Sequence, residues 1–202
     1  MDNIIYINSF VRIKQNMLNN NGNVQQIECA ENESLSKTIY KKLDISYPKF
    51  YKMDNLSKFG FLATELVLNN QATDKNCALI FANKSASLDT DFEYSKTIQK
   101  ENFVPSPSVF VYTLANIVMG EISIKHKFVG ENIFLVAENF DAEMLTKAIK
   151  TQTILGKANS FLVEWIEVFE NSVDVLACYL SQKPTENSVI LNPENLLNLY
   201  NK

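Results

Sequence analysis

The sequence predicts an α/β fold, a mostly parallel sheet with helices on both faces and one antiparallel edge. Three observations carry that expectation. Short runs of β-branched and aromatic residues recur between polar boundaries, and segments with helical spacing of apolar residues stand between them. The last two runs are separated by only a few residues, whereas a parallel return needs a dozen or more, so the final strand should be antiparallel.

Each element follows in order. "IIYINSFVRI" (4–13) is rich in β-branched and aromatic residues and reads as a buried first strand. The Asn-rich "NMLNNNGNVQQ" after it reads as a loop, because Asn and Gly favour turns. "ESLSKTIYKKL" suits a short helix, and Pro48 marks a break. In "DNLSKFGFLATELVLNN" the residues Leu56, Phe59, Ala63, Leu66 and Val67 share one helical face, and Asp54 or Asn55 can cap the start. "NCALIFANK" (76–84) is a second buried strand, and "SLDTDFEYSKTIQK" (87–100) a peripheral amphipathic helix. "SPSVFVYTLANIVMGEISIKHK" opens with Pro107 near its first turn and is apolar nearly all round, which predicts one helix enclosed between layers. "ENIFLVA" is the third strand, "DAEMLTKAIKTQTILG" a helix closed by Gly156, "SFLVEWIEVF" the fourth strand and "SVDVLACYLSQ" the antiparallel fifth. "LNPENLLNLYN" ends the chain as a short helix with Pro193 just inside it.

Composition narrows the function. A chain of 202 residues with 46% hydrophobic content suits one domain, 1–202, with a sizeable core. The net charge of -4, with lysines scattered, gives no electrostatic footprint for nucleic acid. The start, "MDNIIYINSFVRIK", lacks a cationic leader pattern, and the most apolar run, residues 109–120, is too short for a bilayer core of about 30 Å. Three cysteines without paired spacing suggest neither a disulfide framework nor zinc, and a reducing cytoplasm fits. His126 is the only histidine and reads as a surface residue near a helix end; the dispersed glycines form no nucleotide cradle. No cofactor and no metal are expected.

Three segments resemble the β-ketoacyl synthases of the thiolase superfamily. "KMDNLSKFGFLATELVL" resembles their arginine-methionine-serine helix, "SPSVFVYTLANIVMGEISI" their "SP…F…N…G…I" helix, and "FVGENIFLVAENFDAEMLTKAI" the strand and elbow that carry their active-site cysteine. More narrowly, the chain resembles the short ketosynthase-like, chain-length-factor-like proteins of aryl polyene and flexirubin-type pigment clusters, which hold only the amino-terminal half of the fold. That resemblance implies a single thiolase-like half, 1–202, with a five-stranded mixed sheet ordered 3-2-1-4-5 by strand number in the sequence, last strand antiparallel.

It also implies roles. The nucleophile position falls at Asn139 within one residue, so Glu138 and Asn139 form a vestigial elbow with no thiolate, and the decarboxylating histidine pair has no counterpart. A pseudoenzyme is the expectation, pairing as a heterodimer with a full-length β-ketoacyl-ACP synthase and through it serving the acyl carrier protein. The edge strand that crosses the dimer axis corresponds to Ile133, Phe134, Leu135 and Val136, and the acyl tunnel to Phe110 and Val111, which read equally well as core. The chain departs from the family at Ala115-Asn116, where a histidine commonly precedes the asparagine, and in "FYKMDN", which lacks the arginine pair. The alternatives are a non-catalytic homodimer, or a stand-alone acyl-thioester enzyme with Glu138 as general base.

Overall fold

The computed structural model describes residues 4–69, 73–99 and 104–202; Lys100, at the end of the helix expected over 87–100, lies outside the described residues, as do residues 1–3. The elements are β1 (Tyr6–Lys14), β2 (Met17–Asn20), β3 (Asn23–Gln26), α1 (Leu35–Lys42), a 3-10 turn (Pro48–Lys52), α2 (Asn55–Leu68), β4 (Ala78–Asn83) and α3 (Leu88–Ile98). They continue with α4 (Pro107–Phe110), α5 (Ile117–His126), β5 (Asn132–Val136), α6 (Ala142–Ile154), β6 (Ser160–Phe169), β7 (Ser172–Ser181), β8 (Val189–Ile190) and α7 (Pro193–Tyr200).

The strands form one mixed sheet of eight, in the order β3-β2-β1-β7-β6-β4-β5, with β8 pairing β1. This corrects the expected five strands, the order 3-2-1-4-5, which put the first strand at the centre, and the mostly parallel sheet with one antiparallel edge: only β4–β5 and β4–β6 pair parallel, and β7, the strand expected at the edge, lies between β1 and β6. β1 turns directly into the antiparallel meander β2–β3 and pairs antiparallel with β7 on its other side. Both its edges are thus taken by antiparallel neighbours, and the parallel pairing falls to β4, flanked by β5 and β6. The loop expected over the Asn-rich segment is the β2–β3 hairpin. Its turn is Asn21-Gly22, both at positive φ, 52° and 92°, the pairing that two-residue hairpins favour.

Helices cover both faces, as expected. On one face α2 and α5 pack on Leu79, Phe81, Leu162 and Ile166; on the other α6 and α7 pack on Ile80, Phe161, Val163 and Trp165. β4, covered on both sides, is buried at all six positions, which is why it reads as an unbroken apolar run. Asp54 caps α2, its Oδ1 accepting from the Ser57 N–H at 2.9 Å. The outer face of α6 carries Glu143, Lys147 and Lys150, and α7 sets Leu196 and Leu199 into the same cluster as α6. Cover for that side therefore comes from within the chain.

The helix expected to lie enclosed over residues 106–127 is two pieces. α4 ends at Phe110, turns follow through Asn116, and only Val118, Met119, Glu121 and Ile122 of α5 are buried. The hydroxyl of Thr113 donates to the carbonyl of Phe110 at 2.8 Å, a local bond that competes with helix continuation.

Candidate functional site

The approach to β5 is set by a close packing at Gly130. A Cβ there would stand 2.3 Å from the carbonyl oxygen of Cys77, so only glycine lets the loop lie on the start of β4. The Val129 N–H donates to Lys75 O at 2.8 Å and the Leu79 N–H to Glu131 O at 2.9 Å, and the chain enters β5 parallel to β4. Among the described strands β5 pairs with β4 alone, leaving its outer backbone edge open. Its side chains alternate: Phe134 packs on the α2/α5 side and Leu135 on the α6 side, while Ile133 is half-buried and Val136 is 61% exposed.

Beyond β5 the chain turns a corner before α6. Glu138 and Asn139 are exposed and their side chains make no hydrogen bond among the described residues. The cap of α6 is Asp141, whose Oδ1 accepts from the Met144 N–H at 2.8 Å. Asn139 therefore stands ahead of the helix N-terminus instead of on it. Beside the corner is an open cleft of about 660 Å³, walled by Glu138, Asn139 and Glu143 on one side and by Pro193, Glu194 and Leu197 of α7 on the other.

Phe140 fastens the corner to the C-terminal helix, a link that sequence reasoning missed. Its ring stacks on Tyr200 with centroids 4.0 Å apart and meets Trp165 edge-on. The other flank of Tyr200 faces the buried Arg12 guanidinium, 4.4 Å from the ring centroid. Tyr200 donates its hydroxyl to Asp174 Oδ2 at 2.6 Å, and Arg12 Nε donates to the Tyr200 carbonyl at 2.7 Å. Burial and the Asp174 carboxylate push the Tyr200 phenol up to about 12. The available signal was a lone arginine amid an apolar strand, which needs an internal partner.

Phe110 and Val111 are 58% and 48% exposed, outside the core. Phe110 leans on Tyr94 of α3 at 5.5 Å, and Phe92, also exposed, lies 6.3 Å from Phe169. With the exposed Leu114 they leave apolar area uncovered among the described residues.

The remaining reactive groups are held in structural settings. Burial pushes the thiol of Cys77 up to about 12 and that of Cys178 up as well; Cys29 is exposed. His126, expected as a surface residue, is mostly covered and ties α5 to α2, its Nε2 2.7 Å from Glu65 Oε1. Glu121 is buried between the hydroxyl of Tyr112, which donates to it at 3.3 Å, and Lys49 Nζ at 2.8 Å. Among the described residues no group of three or more His, Cys, Asp or Glu side chains could hold a metal ion, and no helix is long and apolar enough to cross a membrane.

No family model matches the sequence, and no curated protein does. Solved structures do match. The ishigamide ketosynthase/chain length factor superposes with a TM-score of 0.66 at 11% identity, over 88% of this chain and 62% of that one. The chain has a ketosynthase/chain-length-factor fold. A chain of the complex of the ketosynthase ApeO with its chain length factor ApeC from Xenorhabdus doucetiae matches at TM-score 0.60 and 13% identity, over 98% of this chain and 90% of that one. The type II polyketide synthase complex AntDE:AntF, an acyl-carrier protein with its ketosynthase bound to the hexaketide, matches at 0.62 and 14%, over 90% and 63%. The chain thus spans about six tenths of two of those chains and nearly the whole of the ApeO/ApeC one.

Proposed function

We propose that the protein is a non-catalytic, chain-length-factor-like subunit that pairs with a full-length β-ketoacyl-ACP synthase in the cytoplasm, as one unit over 1–202, and serves polyene synthesis of the aryl polyene or flexirubin type. The observation that carries this is the combination at β5: an open, apolar strand edge leads into an elbow whose exposed residues, Glu138 and Asn139, supply no thiolate. Ile133, Phe134, Leu135 and Val136 form the partner edge, and Phe110 and Val111 face the shared acyl tunnel. The partner carries out condensation, and the acyl carrier protein docks through it. The likeness to complexes of ketosynthases with chain length factors and with an acyl-carrier protein supports this reading. So do Cys77 and Cys178, two of the three cysteines, buried in strand or next to one, where a thiolate is costly.

The test is chemical. Purified alone and incubated with acyl-carrier thioesters, the chain is expected to show no covalent acyl adduct by intact mass and to release no condensation product. An adduct that disappears on changing Glu138 or Asn139 would overturn the non-catalytic assignment. Asn139→Cys is expected to create no condensing activity, because the decarboxylating groups are still missing.

A further inference from the structure

Asn21-Gly22 is the sole Asn-Gly pair in the sequence, and it forms the turn between β2 and β3. Gly22 has no Cβ, and the space a Cβ would occupy is open, so no side chain of its own stands beside its backbone nitrogen. In the folded turn, however, the atoms that an intramolecular attack would use are all engaged. The Gly22 N–H donates to Asn19 Oδ1 at 2.8 Å. Asn21 Oδ1 accepts from the Phe10 N–H at 2.7 Å, and Asn21 Nδ2 donates to Asn20 Oδ1 at 3.0 Å. Asn19 is itself buried.

We propose that Asn21 is a deamidation site gated by the β2–β3 hairpin, shut while the turn is paired and open once it frays. In the open form the Gly22 amide nitrogen, having lost its proton to solvent base, attacks Asn21 Cγ. The new N–Cγ bond closes a five-membered imide, the Cγ–Nδ2 bond breaks, and the side-chain nitrogen picks up a proton and leaves as ammonia. Water then opens the imide. Cleavage at Cγ yields aspartate at position 21, and cleavage at the main-chain carbonyl yields isoaspartate, whose backbone runs through Cγ. The only co-reactant is water. Isoaspartate lengthens the turn by one backbone atom, so the Asn20↔Asn23 register and the bond to Phe10 no longer fit together.

The gate has a physical basis. β3 pairs only with β2 among the described strands, while Leu18 and Ile27, on either side of the turn, are buried in the core. Opening is therefore a partial unfolding with its own free energy, and the native rate is the unfolded rate scaled by the open fraction.

The test follows the full chain at mildly alkaline pH, native and in urea, with peptide mass mapping and fragmentation that separates aspartate from isoaspartate. Conversion at Asn21 is expected in urea and at least about tenfold more slowly in the native protein. Asn19→Ala, which removes the acceptor for the Gly22 N–H, is expected to raise the native rate about fivefold, while Asn19→Asp, which keeps an acceptor, stays near the parent. Equal rates in buffer and urea, no conversion at Asn21 in urea, or indistinguishable native rates for the two variants would each overturn the proposal. The comparison of native and unfolded parent decides the gate even if Asn19→Ala does not fold.

Discussion

Glu164 sits wholly buried in β6, facing α2, where Thr64 donates its hydroxyl to Oε1 at 2.7 Å and Oε2 has no partner among the described residues. Burial pushes its carboxyl well above the ordinary 4.5, and the bond from Thr64 offsets this only in part. The folded state holds a proton there that the unfolded chain releases above the ordinary carboxyl range. Stability from this group is therefore fully present below about pH 4.5 and lost as pH rises toward the raised folded value. Urea unfolding of Glu164→Gln is expected to show a weaker decline from acid to neutral pH than the parent; parallel declines would mean that Glu164 ionises freely. Phe110 offers the opposite case. Being 58% exposed, it should cost less than about 1 kcal/mol when changed to Ala, since little burial is lost. In co-expression, Phe110→Ala is expected to leave assembly intact and shift the partner's products toward longer chains. An unchanged product distribution from an intact assembly would remove Phe110 from the tunnel.

Among the elements, β5 is the proposed partner edge. Leu135 and Val136 point to opposite faces of this edge strand, so Leu135→Asp and Val136→Asp probe both. A charge left unpaired at an interface costs several kcal/mol, and light scattering is expected to show at least one variant dissociated while the chain stays in solution. Assembly size unchanged for both would place the interface elsewhere. The elements themselves were largely legible: β4, β6, β7 and α2 announce themselves by unbroken apolar runs or helical spacing. Their order was not. Nothing in "YINSFVRIK" tells whether its neighbours are parallel crossovers or a local meander, and the decisive cue, Asn21-Gly22, was masked by the surrounding asparagines, which read as loop. The division of residues 106–127 into α4 and α5 was hidden for a related reason, because side-chain bonds such as Thr113 to Phe110 decide helix continuation locally and leave the apolar count untouched.

For the whole molecule, what already covers the sheet decides which surfaces are left for a partner. α6 is charged on its outer face and α7 closes the adjacent cluster, with Tyr200 wedged between Arg12 and Phe140. Large apolar side chains remain exposed at Val136 of β5 and at Phe92, Phe110 and Leu114, and also at Ile154 and Leu155 at the end of α6. The strand, corner and helix from β5 to α6 were readable because their residue types are visible in sequence; the clasp from α7 was not, since it joins positions far apart in the chain. An open apolar edge of this kind is a template for pairing with another chain. The most direct measurement is native mass spectrometry of the chain co-expressed with a full-length β-ketoacyl-ACP synthase. An equimolar complex of the two, lost in the β5 edge variant that dissociates, is the expected result. A homodimer of this chain with the synthase running separately would contradict the pairing.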